Sequence, residues 1–168
     1  MPWVSLRFDP AIGPLLNVAV APSGTMAALA AFATSQAATG TPAVAVSPPG
    51  ASPAAQVTNP IQNFVSFASL IDSGASHTCI SPSVAQTLKL QARGKKPMSS
   101  ASHSIVPANV YLVDILLPCA KAVHPIPDMQ VIEWAPAPGS PYQILFGRDI
   151  LCRGVFTMTP DGHFSFSL

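Results

Sequence analysis

Charge is the scarcest property of this sequence. Asp, Glu, Lys and Arg together make up 9% of its 168 residues, against about a quarter in an average soluble domain. The net charge is only +1, so there is no long-range field to attract nucleic acid or an acidic membrane surface. We therefore expect neither nucleic acid nor a membrane as a partner. The length predicts a single domain over residues 1–168 with a substantial core.

Cysteines and long apolar runs are also few. Cys79, Cys119 and Cys152 are widely separated, so they form neither a Cys-x-x-Cys motif nor an even set for a disulfide framework. No uncharged apolar run reaches the roughly 20 residues of a membrane span without a Pro, Gly or polar interruption. The Ala-rich run 26–37 lies too far from the N-terminus, with too little basic charge before it, for a signal peptide. We therefore expect a cytoplasmic protein with reduced thiols.

An Ala/Pro-rich insertion interrupts the chain at about residues 26–60. Residues 26–38 are expected to form a short helix, because they are rich in alanine. Residues 40–60 contain few large side chains, so burial cannot offset the entropy lost on ordering them. We predict that this second part is a flexible or polyproline-like loop.

The remaining sequence predicts an all-β fold with one or two short helices. Apolar alternation and turn residues predict strands at 14–24, 63–71, 77–80, 110–118, 129–135, 142–146, 155–159 and 163–168. Short helices are predicted at 81–90, with Ser81 as N-cap and Pro82 in the first position, and at 149–153. The small polar and basic residues of 91–104 are typical of a mobile loop or hairpin tip.

One acid stands apart from the others. Asp72 is the only charged residue between Asp9 and Lys89, and it follows an apolar strand and precedes Ser73 and Gly74. A plain turn explains this tripeptide, since Asp and Ser bond their own backbone and Gly adopts positive φ. However, the apolar residues before Asp72 also suit a functional carboxylate in a buried site. Two buried carboxylates that face each other share one proton. One of them then acts as a base on water while the other protonates a carbonyl oxygen.

Two segments of the sequence resemble a known family. The stretches LIDSGAS (70–76) and ILFGRDIL (144–151) resemble the signature segments of retropepsin-like aspartic proteases, the single-lobed retroviral-type peptidases, and are most similar to the bacterial members. The resemblance covers about residues 13–21 and 64–168. It implies a single-lobed acid-protease β-barrel that is active as a two-fold dimer and hydrolyses a polypeptide substrate without a cofactor.

The resemblance also implies roles for individual residues. Asp72 corresponds to the catalytic aspartate, and Ser73, Gly74 and Ala75 form the active-site loop around it. Ser73 would hydrogen-bond to the loop of the partner subunit, Gly74 would let the substrate backbone approach, and Ala75 would line the substrate path.

A second set of residues corresponds to the family's C-terminal support. Gly147, Arg148 and Asp149 match the segment that opens the C-terminal helix and supports the active-site loop. Ser76 stands where retroviral members often have an acid that pairs with the arginine, so Arg148 needs another partner. The loop near 98–106 falls at the position of the family's substrate-covering flap, but it lacks the glycine-rich tip.

A dyad needs two aspartates, and this chain contains a single Asp-Ser/Thr-Gly motif. The other acids outside the C-terminal support are expected to be solvated or in turns: Asp9, Asp114, Asp128, Glu133 and Asp161. The second carboxylate is therefore expected from a second copy of the chain, with Asp72 near the two-fold axis. The resemblance implies that residues 163–168 contribute to the dimer interface.

The sequence is also compatible with three different functions. The first is a non-catalytic dimerisation or peptide-binding module with the same fold. The second is serine hydrolysis through Ser73 or Ser76 with a histidine, although no Gly-x-Ser-x-Gly elbow is present. The third is a metal site, for which the spacing of the available ligands matches no standard pattern: His77, Cys79, His103 and His124. We expect no metal.

Overall fold

The computed structural model describes residues 3–39, 60–100, 103–119 and 122–168. Within these ranges the chain forms ten strands, three α-helices and one 3-10 helix. This confirms the prediction of a mostly β fold. The elements, in chain order, are β1 Trp3–Arg7, β2 Leu15–Pro22, α1 Thr25–Thr39, the 3-10 helix Pro60–Asn63, β3 Val65–Ile71, β4 Cys79–Ile80, α2 Pro82–Thr87, β5 Gly94–Ser100, β6 His103–Cys119, β7 Ala122–Glu133, β8 Ile144–Phe146, α3 Arg148–Leu151, β9 Val155–Met158 and β10 His163–Ser167.

Six of the strands close into a barrel. Neighbouring strands follow the order β2-β3-β8-β4-β7-β6, and β6 pairs back with β2 from Ala19↔Leu116 to Pro22↔Val113. β5 extends the sheet outside this ring and pairs with β6. β3 and β8 run parallel, with Leu70 opposite Leu145. Because parallel strands end at the same edge of a sheet, the residues that follow β3 and β8 emerge side by side.

The two ends of the described chain form a second, three-stranded sheet in the order β1-β10-β9. The hairpin between β9 and β10 turns where the sequence predicts, with Gly162 at a φ of 80°. β1 is not predicted by the sequence, since most of its side chains are exposed and no alternation marks it. It forms because its backbone pairs with β10, for example through Val4↔Phe166.

The core lies inside the barrel and below the second sheet. Phe67 and Ile71 alternate inward along β3, while α2 and α3 add Val84 and Ile150, both 0% exposed. Phe166 of β10 belongs to the same cluster and ties the second sheet to the barrel. Burial of one such side chain contributes about 1.5–3 kcal/mol, so these contacts fix the position of the strand ends.

Helix α2 begins as predicted. The Oγ of Ser81 accepts a hydrogen bond of 3.3 Å from the N–H of Val84, and Pro82 occupies the first helical position. The helix ends before residue 90, because Lys89 adopts a φ of 51°. This left-handed conformation ends a helix.

The sequence predicts a mobile loop or a hairpin tip over 91–104, and both alternatives are wrong for Gly94–Ser100, which lie in the arm of a hairpin. These residues form β5, which pairs with β6, and the intervening residues 101–102 lie outside the described ranges. Lysine and proline are the residues that protect an edge strand from further pairing, and β5 carries Lys95, Lys96 and Pro97. The composition of such an edge strand is the same as that of a loop, which explains the error.

Strand β7 also begins earlier than predicted. It passes through Pro125 and Pro127, whereas these prolines predict a boundary before residue 129. Over this stretch β7 pairs with β6 alone, because β4 reaches only Ile132 and Glu133. Proline is tolerated where a strand has a free edge, so these residues do not end β7.

Asp114 is 1% exposed, which makes the expectation that it is solvated wrong. Its Oδ2 accepts a hydrogen bond of 2.8 Å from the N–H of Met26, and its Oδ1 accepts one of 2.9 Å from the N–H of Asp128. Met26 lies in the first turn of α1, whose N–H groups lack partners within the helix. A bulge between Val113 and Ile115 allows this placement, so β6 anchors α1 to the barrel.

The Ala/Pro-rich insertion falls only partly within the described residues. α1 covers the helix predicted at 26–38, while residues 40–59 lie outside the described ranges. Of the helices that the structure describes, none combines the length and the apolar character needed to cross a bilayer.

Candidate active site

Asp72 lies directly after β3, at the edge of the barrel where β8 also ends. Its backbone N–H donates a hydrogen bond of 3.0 Å to the carbonyl of Phe146, which continues the parallel pairing beyond Ile71. The burial of the strand residues therefore fixes the backbone of the aspartate, while its side chain remains half-buried and reachable.

The carboxylate of Asp72 is held by the turn that follows it. Oδ1 accepts hydrogen bonds from the N–H groups of Gly74, at 2.8 Å, and Ala75, at 3.2 Å. A Cβ added to Gly74 would lie 3.1 Å from the same oxygen, so a glycine suits this position. Within the described ranges Oδ2 makes no hydrogen bond, and Ser73 is exposed beside it. One oxygen is thus oriented and the other is available for chemistry.

The second signature segment packs against this turn through backbone contacts. A Cβ on Gly147 would come within 2.6 Å of the carbonyl oxygen of His77 and 2.8 Å of the N–H nitrogen of Thr78. The N–H of Arg148 donates a hydrogen bond of 2.9 Å to the carbonyl of Ala75. Only a glycine permits this approach, so the two motifs found in the sequence are in direct contact.

Thr78 and Asp149 provide the side-chain support of the loop. The N–H of Thr78 donates to Oδ2 of Asp149 and its hydroxyl donates to Oδ1, both at 2.7 Å. The same hydroxyl oxygen accepts a hydrogen bond of 3.2 Å from the N–H of Gly147. Thr78 is 0% exposed, so its polar atoms are all used within the protein.

Thr78 is a supporting residue of the candidate site that the sequence did not reveal. The only sequence feature that marks it is a polar residue before a short apolar strand, and this feature is a weak indicator.

Arg148, which the sequence analysis expects to need a new partner, is exposed, and its side chain makes no hydrogen bond to any described residue. Among the described residues, its hydrogen bond to the loop comes from its backbone N–H, and the carboxylate that holds the loop is that of Asp149.

Cys79 follows Thr78 and faces the same site. Burial, together with the smaller effects of the negative charges of Asp149 and Asp72, raises the pKa of its thiol to about 11. Its Sγ donates to the carbonyl of His77 at 3.4 Å. The thiol is therefore neutral at physiological pH and is not a nucleophile.

A family model described as "Aspartyl protease" matches residues 62–150. This range covers just over half of the chain and includes Asp72, Thr78 and Asp149. The chain belongs to this aspartyl protease family.

A solved structure supports the same fold. The crystal structure of a retropepsin-like aspartic protease from Rickettsia conorii matches with a TM-score of 0.54 at 10% sequence identity, covering 98% of this chain and 89% of that chain. This likeness confirms the predicted retropepsin-like barrel. The search of curated proteins found no match.

In this aspartyl protease family member, one contact can be compared with the alternative of serine hydrolysis. The Oγ of Ser76 lies 3.1 Å from Nδ1 of His77, so a serine and a histidine do meet. Both are exposed neighbours in sequence, and no described carboxylate pairs with the His77 ring, since the ion pair found within the described residues joins His163 to Asp161. A serine nucleophile needs a base that a third group orients, and the contact lacks this third group.

The candidate metal ligands do not form a cluster. Within the described ranges, no three His, Cys, Asp or Glu side chains converge on one point.

The expected flap region, 98–106, lies at the end of the β5–β6 hairpin, with 101–102 outside the described residues. A small apolar cluster connects this hairpin to the strands beside Asp72 through Met98, Ala108 and Cys79.

Proposed function

We propose that this protein is an aspartic endopeptidase that acts as a homodimer, with Asp72 of each subunit forming the catalytic dyad. The observation that carries the proposal is the placement of Asp72 at the joint end of β3 and β8, with Oδ1 held by the N–H groups of Gly74 and Ala75. Two backbone donors fix the orientation of the carboxylate before any substrate binds, which is the preorganisation that catalysis requires.

The second carboxylate is proposed to come from another copy of the chain. Asp149 is the other acid whose charge acts on Cys79, but both of its oxygens accept hydrogen bonds from Thr78. It is therefore committed to holding the loop. Two-fold symmetry brings one surface of a protein against the same surface of its copy, so a dimer through the exposed Ser73 turn would place two Asp72 side chains together.

In the proposed reaction the two Asp72 carboxyl groups share one proton. The ionised group removes a proton from a bound water, and the water oxygen forms a bond to the carbon of the scissile amide. The protonated group donates its proton to the amide oxygen. Transfer of a proton to the amide nitrogen then allows the C–N bond to break, which leaves a carboxylic acid and an amine. No cofactor enters this sequence of steps.

The decisive experiment compares wild type with Asp72→Asn at matched dimer concentration. A mixed peptide library is incubated from acidic to neutral pH, and cleavage is followed by mass spectrometry. Asp9→Asn is the matched control, because it makes the same chemical change on an exposed turn. We expect Asp72→Asn to lose about 10²–10⁴-fold or more in rate, and Asp9→Asn to retain activity. Pepstatin, a transition-state-like hydroxyl peptide, should inhibit the wild type.

Two outcomes would contradict this proposal. Equal cleavage by wild type and Asp72→Asn would exclude the dyad. If neither protein cleaves any peptide while both dimerise in sedimentation, the non-catalytic peptide-binding module takes its place.

The shared dyad has its own test. Addition of excess Asp72→Asn chains to wild type forms mixed dimers with one aspartate, so the activity per wild-type chain should fall as subunits exchange. Unchanged activity, with exchange verified by native mass spectrometry, would show that each subunit acts alone.

A further inference from the structure

A cleft of about 410 Å³ lies between α2 and the strand pair β6–β7, apart from the candidate active site. Its walls include Tyr111 of β6, Glu133 at the end of β7 and Lys89 just after α2, and they do not include Asp72. The volume falls within the range of small-molecule sites in proteins. Nothing in the proposed peptidase chemistry uses these residues.

The carboxylate of Glu133 is held in one orientation by neutral donors. The hydroxyl of Tyr111 donates to Oε2 at 2.5 Å, and Nδ2 of Asn109 lies 3.3 Å from both carboxylate oxygens. Burial and the hydrogen bond to Glu133 raise the pKa of Tyr111, so the phenol remains a donor at neutral pH. Neither donor carries charge, which leaves the carboxylate positioned but not neutralised.

Lys89 supplies the opposite charge in an unusual backbone conformation. Its φ of 51° lies in the left-handed region, which a glycine adopts without strain. Its amine does not pair with Glu133, since the ion pair found in the described part of the chain is that of Asp161 and His163. The cleft therefore presents an anion and a cation that are separated from each other.

Aliphatic surface adjoins these charges, because Pro82, Ala85 and Leu90 also line the cleft. A matching ligand carries a cation, a carboxylate and an aliphatic stem between them. We propose that the cleft binds arginine with a free carboxylate, with the guanidinium on Glu133 and the carboxylate on Lys89. The planar guanidinium fork matches the geometry of a carboxylate. The ligand is either free arginine or the C-terminal arginine of a peptide.

The test measures binding by isothermal titration calorimetry with the full chain carrying Asp72→Asn, so that peptide probes are not cleaved. N-acetyl-arginine carries both charges. N-acetyl-argininamide lacks the carboxylate, and N-acetyl-norleucine lacks the cation. We expect N-acetyl-arginine to bind at least about tenfold more tightly than the other two, because each loses one charge-assisted hydrogen bond.

Two variants assign the contacts. Glu133→Gln should weaken N-acetyl-arginine about tenfold while its amide oxygen still accepts from Tyr111. Lys89→Gly should weaken it to a similar extent without loss of thermal stability, since glycine suits the left-handed conformation. Lys89→Gly should not weaken N-acetyl-argininamide further, because that probe has no carboxylate to lose. Lys95→Gln, which removes an exposed cation of β5 outside the cleft, is the matched control and should change nothing.

The proposal is overturned if no probe binds, if all three probes bind equally, or if Glu133→Gln and Lys89→Gly bind N-acetyl-arginine as well as the control does. Tighter binding of acetyl-Ala-Ala-Arg than of free arginine would identify a peptide C-terminus as the ligand, and the reverse would identify the free amino acid. The measurement is independent of peptidase activity, so either proposal can fail without the other.

Discussion

Thr78 and Asp149 are joined by two hydrogen bonds of 2.7 Å, one from the backbone N–H and one from the hydroxyl of the threonine. Thr78 belongs to the loop that follows Asp72, and Asp149 belongs to the short helix α3. The pair therefore locks the candidate catalytic loop to the C-terminal segment. It also supplies a carboxylate contact to a loop that has Ser76, and no acid, two residues after Gly74.

Thr78→Val should destabilise the protein. Valine keeps the shape of threonine but removes the bonds to Oδ1 of Asp149 and to the N–H of Gly147, which leaves a buried N–H and one oxygen of a half-buried carboxylate without these partners. We expect a loss of about 1–3 kcal/mol in the free energy of unfolding, measured by urea denaturation. Thr157→Val, on the exposed strand β9, is the control and should change stability little. Equal stability of the two variants would show that the pair is not a support.

Gly147→Ala should also destabilise the fold. The added Cβ would lie within 2.6 Å of the carbonyl oxygen of His77, and backbone atoms cannot move aside as a flexible side chain does. Overpacking of this kind costs about 1–3 kcal/mol. Gly94→Ala makes the same change where no atom lies within 4 Å. If thermal unfolding showed the same midpoint for both variants, the close approach of the two motifs would be incorrect.

Cys79 predicts a pH dependence of stability. Its thiol pKa is raised from 9.0 to about 11 in the folded protein, so between these values the unfolded chain loses the proton while the folded chain keeps it. Stability should then fall as pH rises from 9 towards 11, by at most about 1.4 kcal/mol per pH unit. Below pH 9 this contribution is constant.

The measurement compares denaturation of wild type and Cys79→Ala from pH 8 to 10.5. The difference between their unfolding free energies isolates the thiol from other groups that titrate in this range. Cys152→Ala, at an exposed position, is the control. A wild-type slope that Cys79→Ala reproduces would contradict the raised pKa.

Asp114→Asn should loosen the anchor of α1. The carboxylate accepts N–H bonds from Met26 and Asp128 on different oxygens, and an amide offers only one acceptor while its NH₂ opposes the other donor. We expect a loss of about 1–3 kcal/mol, together with faster hydrogen exchange in the first turn of α1. Asp9→Asn, on an exposed turn, should leave both quantities unchanged. Protection of α1 that survives in Asp114→Asn would show that the anchor lies elsewhere.

The sequence was most informative where a signal is local. The Ser81 cap followed by Pro82 predicted the start of α2, and Pro160–Gly162 predicted the β9–β10 hairpin, because caps and turns depend on neighbouring residues. Local sequence patterns did not predict strands β1 and β5. Their side chains are largely exposed, so the strands carry no apolar alternation, and their backbone partners are set by the sheet.

In the candidate site, local sequence patterns already mark Asp72 as the candidate catalytic group. An isolated Asp72 at the end of an apolar strand, followed by Ser73 and Gly74, marked the loop, and the Gly147 segment marked its support. How the two segments are joined depends on the fold, since parallel pairing of β3 with β8 brings together residues far apart in the chain. The fold likewise places Thr78 against Asp149 and buries Asp114. The reason is that hydrogen-bond partners distant in sequence are selected by packing, and no local pattern specifies them.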